Sequence, residues 1–266
     1  MNAVNATEIT AFLAELAALA AATVLPYFRT PVHIDDKGGA RFDPVTIADR
    51  AAEQVLRKTI RARFPTHGVI GEEFGETPGH SAYVWVIDPI DGTRSFVSGL
   101  PTWGTLIALC EDARPRFGLM SQPYVGEYFV GGDGIARWHR GNSSTALFTR
   151  GTQDLSAASL FATTPDMFVS AFEQAAFAQL SGRVRMTRFG ADCYAYCMLA
   201  AGHVDLVVEA SLGFYDISAL IPIVEVAGGL VTVWDGAPVR GGGRVIAAAN
   251  AVIHAQALVM LNQAPA

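Results

Sequence analysis

The segment Asp88-Pro89-Ile90-Asp91-Gly92-Thr93 most constrains what this chain can fold into. It follows Tyr83 to Ile87, a run of aromatic and β-branched residues that reads as a buried strand. The strand is expected to stop at Asp88-Pro89, because proline removes a backbone donor and restricts the residue before it. Two carboxylates three residues apart then leave the strand end together, and the intervening Pro-Ile and following glycine suggest a tight turn aiming both into one space. Hard cations such as Mg²⁺ take oxygen ligands and are held by a few carboxylates plus substrate phosphate. The Ile90 carbonyl offers a further oxygen, and Gly92 and Thr93 open a segment whose N–H groups could receive a phosphate. Taken alone, the hexapeptide also reads as an Asp-rich β-turn.

Other acids occur in similar settings. Gly71-Glu72-Glu73 follows the short strand 68–71, and Tyr215-Asp216 opens an apolar helix. Three element ends that present carboxylates are hard to explain by solvation alone. If they converge, mutual repulsion raises their pKa values unless cations are bound. The chain has no Cys or Ser nucleophile motif and no GxxxxGK[ST] phosphate loop. Direct attack by water is therefore preferred over a phosphoenzyme.

The rest of the composition narrows the class. Apolar residues make up 51 % of the 266 and charged ones 17 %, which excludes overall disorder. A net charge of −6 without a long Lys/Arg cluster argues against a nucleic-acid partner. Cys110, Cys193 and Cys197 form no even framework and read as reduced core residues. The first apolar stretch lacks a basic flank and carries Glu8 and Glu15, against a signal peptide or a membrane span. A soluble, cytoplasmic protein is expected. His67, His80, His139 and His203 show no metal-ligand spacing.

Periodicity predicts a helix over 7–28 capped by Thr7, a glycine-rich loop at Lys37–Arg41, and a second helix over 48–64 with Thr46 as N-cap. Asp49 reads as a carboxylate of the first turn that holds the 43–46 turn. Strand-like runs at 103–110, 116–121 and 124–131 are spaced as hairpins, so residues 1–150 form an α+β half. In 151–266, strands near 160–163, 185–188 and 204–209 alternate with helices over 165–180, 193–201 and 216–226, a layered α/β half.

The pieces DPVTIADRAAE at 43–53, GEE at 71–73, DPIDGT at 88–93 and FYDISALIPIVEVAGG at 214–229 resemble the inositol monophosphatase superfamily in order and spacing. The resemblance runs from about residue 10 to residue 260. It implies a five-layer αβαβα sandwich with the active site between the halves, and a homodimer. It also implies two or three Mg²⁺ ions held by Glu72, Asp88, the Ile90 carbonyl, Asp91 and Asp216. Thr93, partnered by Asp43, would position and activate a metal-bound water, with Glu72 also in the catalytic set. Gly92 and Thr93 would contact the phosphate, and Lys37 would lie on a mobile flap. Tyr215 departs from the Trp that the family often places before the final aspartate.

For the substrate, Glu209 matches a position that touches hydroxyls in inositol phosphatases, or else is a strand-end surface acid. Asp192 lies where inositol-type enzymes are small and neutral. An acid there could pair with an ammonium or imidazolium, or could simply cap the helix over 193–201. With TRSFVSGLPTWGTLIAL at 93–109 and the stretch 118–123, this segment is similar to the histidinol-phosphatase branch, which cleaves L-histidinol phosphate in histidine biosynthesis. The alternatives are an inositol-1-monophosphatase or a related polyol or nucleotide phosphatase, and a non-catalytic phosphometabolite-binding regulator.

Overall fold

Asn5, not Thr7, caps the first helix, α1 (Ala6–Val24): its side-chain oxygen accepts the N–H groups of Thr7 and Glu8 at 2.9 and 3.4 Å. The structure is a computed structural model and describes residues 4–31, 33–36, 38 and 44–263. Helix α1 ends at a 3₁₀ turn, Leu25–Tyr27, where Pro26 cannot continue the ladder. A two-stranded ribbon, β1 (Ile34–Asp36) and β2 (Pro44–Thr46), leads into α2 (Ile47–Arg63). There Thr46 and Asp49 form a reciprocal capping box.

Next come β3 (Gly68–Gly71), β4 (Gly75–Thr77), β5 (Tyr83–Asp91), the short α3 (Thr93–Val97) and β6 (Gly104–Glu111). The hairpins continue through β7 (Arg114–Gln122), β8 (Glu127–Gly132), β9 (Ile135–Arg140) and β10 (Ser143–Ala146). These eight strands make one sheet, antiparallel except where β3 runs parallel to β5. The strand expected to stop at Asp88-Pro89 instead runs on to Asp91. The register with β6 slips between Asp88 and Asp91, so Pro89 falls where the ladder needs no donor, and the Pro89 carbonyl accepts the Thr105 hydroxyl at 2.8 Å.

The remainder alternates: β11 (Ser159–Ala162), α4 (Ala171–Ser181), β12 (Met186–Phe189), α5 (Tyr194–Ala200) and β13 (Leu206–Leu212). Then follow α6 (Phe214–Ile217), α7 (Leu220–Val226), β14 (Leu230–Val233), β15 (Gly243–Ala248) and α8 (Ala251–Asn262). The five strands form a sheet in the order β12-β11-β13-β15-β14. Two predicted helices are shorter than the sequence suggests. A 3₁₀ turn at Pro165–Met167 precedes α4, which starts only at its Ser170–Glu173 capping box. The helix expected over 216–226 is broken into α6 and α7, since Pro222 has no N–H to give the Ser218 carbonyl.

Side-chain alternation builds five layers. Trp85 and Ile87 of β5 and Ile107 and Leu109 of β6 pack with Ile9, Leu13, Leu16, Leu56 and Ile60 of α1 and α2. By length and composition α1 could cross a membrane, yet its apolar stripe is spent on this core. Val86, Leu106 and Ala108 point the other way, into a core shared with α5, α7 and Val207 of β13. Leu206 and Val208 meet α4 and α8 beyond the second sheet. The order is therefore α1/α2, eight-stranded sheet, α5/α7, five-stranded sheet, α4/α8: the αβαβα sandwich. Helix α7 lies almost on the bare backbone of its sheet. A Cβ on Gly118 would stand 1.9 Å from the Ala219 carbonyl oxygen, and one on Gly131 2.4 Å from the Ile223 Cα.

Candidate active site

The irregular end of β5 and the start of α6 bring Asp88, Asp91 and Asp216 together, with one carboxylate oxygen from each within 4.8 Å of the other two. Each acid is tied by one backbone N–H. The Ile90 N–H donates to Asp88 Oδ1 (3.1 Å), the Cys193 N–H to Asp91 Oδ2 (2.9 Å), and the Gly213 N–H to Asp216 Oδ2 (2.7 Å). Glu72 lines the same cavity, its own N–H bonded to the Ile87 carbonyl at 3.2 Å. Burial, then the charges of Glu72, Asp91 and Asp216, push the Asp88 carboxyl well above its usual range. Burial, then Asp216 and Asp192, do the same to Asp91. Asp216 is pushed up to about 7 by burial and by Glu72. A close set of buried oxygen acids that repel one another is the donor set a hard divalent cation takes, and a cation would relieve the repulsion.

Thr93 donates its hydroxyl to the Ile90 carbonyl at 3.0 Å. Gly92, at φ +77°, lies against Asp192: a Cβ there would be 2.9 Å from Asp192 Cγ. Lys37 and Asp43 lie outside the described residues, while Gly38 lines the cavity. Asp49 Oδ2 accepts the Thr46 N–H (2.9 Å) and hydroxyl (2.6 Å), and burial lifts its carboxyl to about 6.

Sequence reasoning missed Glu53. Its buried carboxylate accepts the N–H groups of Glu73 (2.7 Å) and Phe74 (3.2 Å) and pairs with Arg57 (2.6 Å). It thereby fastens the turn that presents Glu72. Gly71 is required beside it, because a Cβ there would fall 2.0 Å from Glu53 Oε1. The signal was present: Glu53 interrupts the apolar stripe of Ala48, Ala52 and Leu56, where an acid needs a buried partner.

The cavity, about 430 Å³, extends from the acidic cluster to Thr163, Asp192, Tyr196 and Glu209. Asp192 does not cap the following helix; α5 begins at Tyr194 without a side-chain cap. Its Oδ2 instead accepts the hydroxyls of Ser95 (2.6 Å) and Thr102 (3.0 Å). Glu209 is no surface acid. It is 3 % exposed and accepts the Thr163 N–H (2.8 Å), the Thr163 hydroxyl (2.6 Å) and the Tyr196 phenol (2.9 Å). Burial raises both carboxyls, and burial with Glu209 raises the Tyr196 phenol well above 10, so it stays a donor. Among the described residues no Lys, Arg or His forms an ion pair within 4 Å of Asp192 or Glu209, although Arg94 lines the same cavity and its charge acts on Asp192. Ser95, Thr102, Thr163 and Tyr196 carry no local motif and escaped the sequence reading.

Residues 5–265 match the inositol monophosphatase family. A chloroplastic bifunctional phosphatase of Arabidopsis thaliana, IMPL2, is 40 % identical over 269 residues, covering 96 % of this chain and 76 % of its own. A histidinol-phosphatase of Mycobacterium tuberculosis is 36 % identical over 228 residues, covering 82 % and 85 %. Among solved structures, an inositol monophosphatase from Zymomonas mobilis matches with a TM-score of 0.87 at 39 % identity, covering 98 % of this chain and all of that one. This chain belongs to the inositol monophosphatase family.

Proposed function

We propose that this phosphatase hydrolyses a phosphate monoester whose alcohol carries a cationic nitrogen, with L-histidinol phosphate as substrate, and so serves histidine biosynthesis. The observation that carries the reading is the pair of buried acids, Asp192 and Glu209, on the same cavity as the acidic cluster. Polyol hydroxyls can bond to Glu209 as well, but only an ammonium or imidazolium also offsets the cost of burying the Asp192 charge beside it. The 36 % identical histidinol-phosphatase points the same way. The Zymomonas mobilis neighbour favours a second reading, an inositol monophosphate as substrate.

In this reading Glu72, Asp88, the Ile90 carbonyl, Asp91 and Asp216 hold two or three Mg²⁺ ions. When bound, the ions supply charge neutralisation for the phosphate and acidify the attacking water. Gly92 and Thr93 orient the phosphate through their N–H groups. Thr93, which donates its hydroxyl to the Ile90 carbonyl at 3.0 Å, would turn that hydrogen to Asp43, its proposed partner, and accept one from a water held in line. Lys37 is proposed as a substrate-binding residue. Cys193 lines the cavity, but burial and Asp91 keep its thiol protonated, so it is a poor nucleophile and direct attack by water is favoured.

The enzyme is further read as a cytoplasmic homodimer whose two halves, 1–150 and 151–266, flank the site. Leu100 and Tyr124, both about half exposed, with Arg29 bridging the Tyr124 phenol to the Gly99 carbonyl, give a second copy an apolar surface. The deciding experiment is phosphate release, with Mg²⁺ and with EDTA, from L-histidinol phosphate, myo-inositol 1-phosphate, fructose 1,6-bisphosphate and adenosine 3′,5′-bisphosphate, run also on Asp192→Asn. A large preference for histidinol phosphate that Asp192→Asn abolishes supports the reading. Preference for inositol phosphate, or an unchanged preference in the variant, sinks it.

A further inference from the structure

Asp192 uses its two oxygens differently. Oδ2 accepts the Ser95 hydroxyl at 2.6 Å and the Thr102 hydroxyl at 3.0 Å, and the two hydroxyls are themselves 3.0 Å apart. Among the described residues no hydrogen-bond donor reaches Oδ1. Glu209 is committed on both sides, with the Thr163 N–H and hydroxyl on Oε1 and the Tyr196 phenol on Oε2. A cation entering the cavity therefore finds its open, directional acceptor on Asp192, while Glu209 contributes charge.

The placement of Asp192 is built in from several sides. Its backbone takes the left-handed region at φ +46°, which Asp tolerates better than most residues. The next residue, Cys193, gives its N–H to Asp91, and Asp192 Cγ packs against Gly92. What these ties leave undetermined is rotation of the carboxylate about χ2, a broad two-fold torsion. Among the described residues the two hydroxyls are the hydrogen-bond partners that set that torsion, with the Arg94 charge acting on the carboxylate as well. Ser95 is buried one helical position from Arg94 and two from Thr93; Thr102 lies on the loop before β6.

We infer that Ser95 and Thr102 are specificity-determining positioning residues: by holding Oδ2 of Asp192 they aim Oδ1 at the cationic nitrogen of the substrate's alcohol. This rests on the amine-bearing reading above. Both hydroxyls bond to Asp192 and to each other and neither bonds to Asp88, Asp91 or Asp216, so their effect belongs to binding of the alcohol and not to the chemical step. The site's preference for aminated esters is thus shared among three residues, two of them within ten positions of the phosphate turn and the third about a hundred positions away.

The test compares kcat and KM for L-histidinol phosphate and myo-inositol 1-phosphate, with Mg²⁺, in the wild type, Ser95→Ala, Thr102→Val and Thr102→Ser. Ser95→Ala and Thr102→Val should each raise KM for histidinol phosphate about tenfold, the scale of one hydrogen bond to a charged group. The kcat/KM preference for histidinol phosphate should fall by a similar factor, and Thr102→Ser, which keeps the hydroxyl, should retain it. A wild type that prefers histidinol phosphate, with variants that lose both substrates equally or leave the preference intact, overturns the positioning role alone. A wild type without that preference overturns the amine reading, and the positioning role with it.

Discussion

The carboxylate of Glu53 reaches across from α2 to accept the backbone N–H of Glu73, twenty residues away, at 2.7 Å. Because Glu73 adjoins Glu72, a residue with no place in the cavity fixes one that has. Glu53→Ala strands two N–H groups and removes the ionic partner of Arg57, which keeps only the Thr77 hydroxyl and the Gly75 carbonyl. The expected cost is about 3–5 kcal/mol of stability, the usual scale for breaking a buried pair. Denaturant unfolding checks this. Glu53→Gln, which keeps the shape and an acceptor, should retain the fold but lose phosphatase activity roughly tenfold as the Glu72 turn loosens.

Gly92→Ala should remove activity on every phosphate ester by about 100-fold or more, since a small misplacement of reacting groups costs that much. The added methyl group meets Asp192 and forces a side chain into φ +77°. Single-turnover kinetics should show the loss on two unrelated substrates, larger for an aminated one because Asp192 is displaced; a loss confined to one substrate contradicts this account.

Metal removal should change how stability depends on pH. Asp216, with its carboxyl lifted to about 7, favours the folded state while protonated, and that contribution is lost as pH rises through about 7. With EDTA, Tm should therefore fall from pH 6 to pH 8. With Mg²⁺ present the fall should shrink or vanish, because the cation binds the ionised acids of the folded state only. Thermal melts across that range decide the matter.

His67 gives stability the opposite slope in acid. It is stacked between Phe64 and Tyr83, and its Nδ1 accepts the Trp85 indole N–H at 3.1 Å, so it must stay neutral there. Burial holds its pKa below 6.5. The unfolded chain then binds more protons, and stability falls as pH drops below about 6.5. In His67→Phe the decline in Tm below that pH should be shallower than in the wild type.

What was legible in the sequence was what is local. DPIDGT and the Tyr215-Asp216 helix start announce themselves within six residues, and the structure brings Asp88, Asp91 and Asp216 into one cluster. The two helices on a mostly antiparallel sheet and the alternating second half followed from strand-like and helical runs, while the five-layer sandwich came with the family resemblance. Boundaries failed where a single proline or side chain decides: β5 runs through Pro89 because a bulge absorbs it, and Asn5 displaces Thr7 by offering an acceptor two positions earlier. The partners of Asp192 and Glu209 are 97 and 46 residues away, and no periodicity encodes a contact made only by folding. Lys37 and Asp43, outside the described residues, stay as the sequence left them.

Gly118 and Gly131 lie on strands that contribute nothing to the cavity, yet they act on it as a gauge block acts on a clamp. Because α7 meets bare backbone at these two glycines, beside the side chains of Val86, Leu106 and Ala108, two missing methyl groups set how closely the helical layer approaches the eight-stranded sheet. Asp88 and Asp91 belong to the sheet, and Asp216 sits on the short helix leading into α7. The span across which three carboxylates must close on a cation is therefore calibrated by the emptiness beneath a neighbouring helix. A methyl group added there would lift one jaw and leave every acid in place in the sequence.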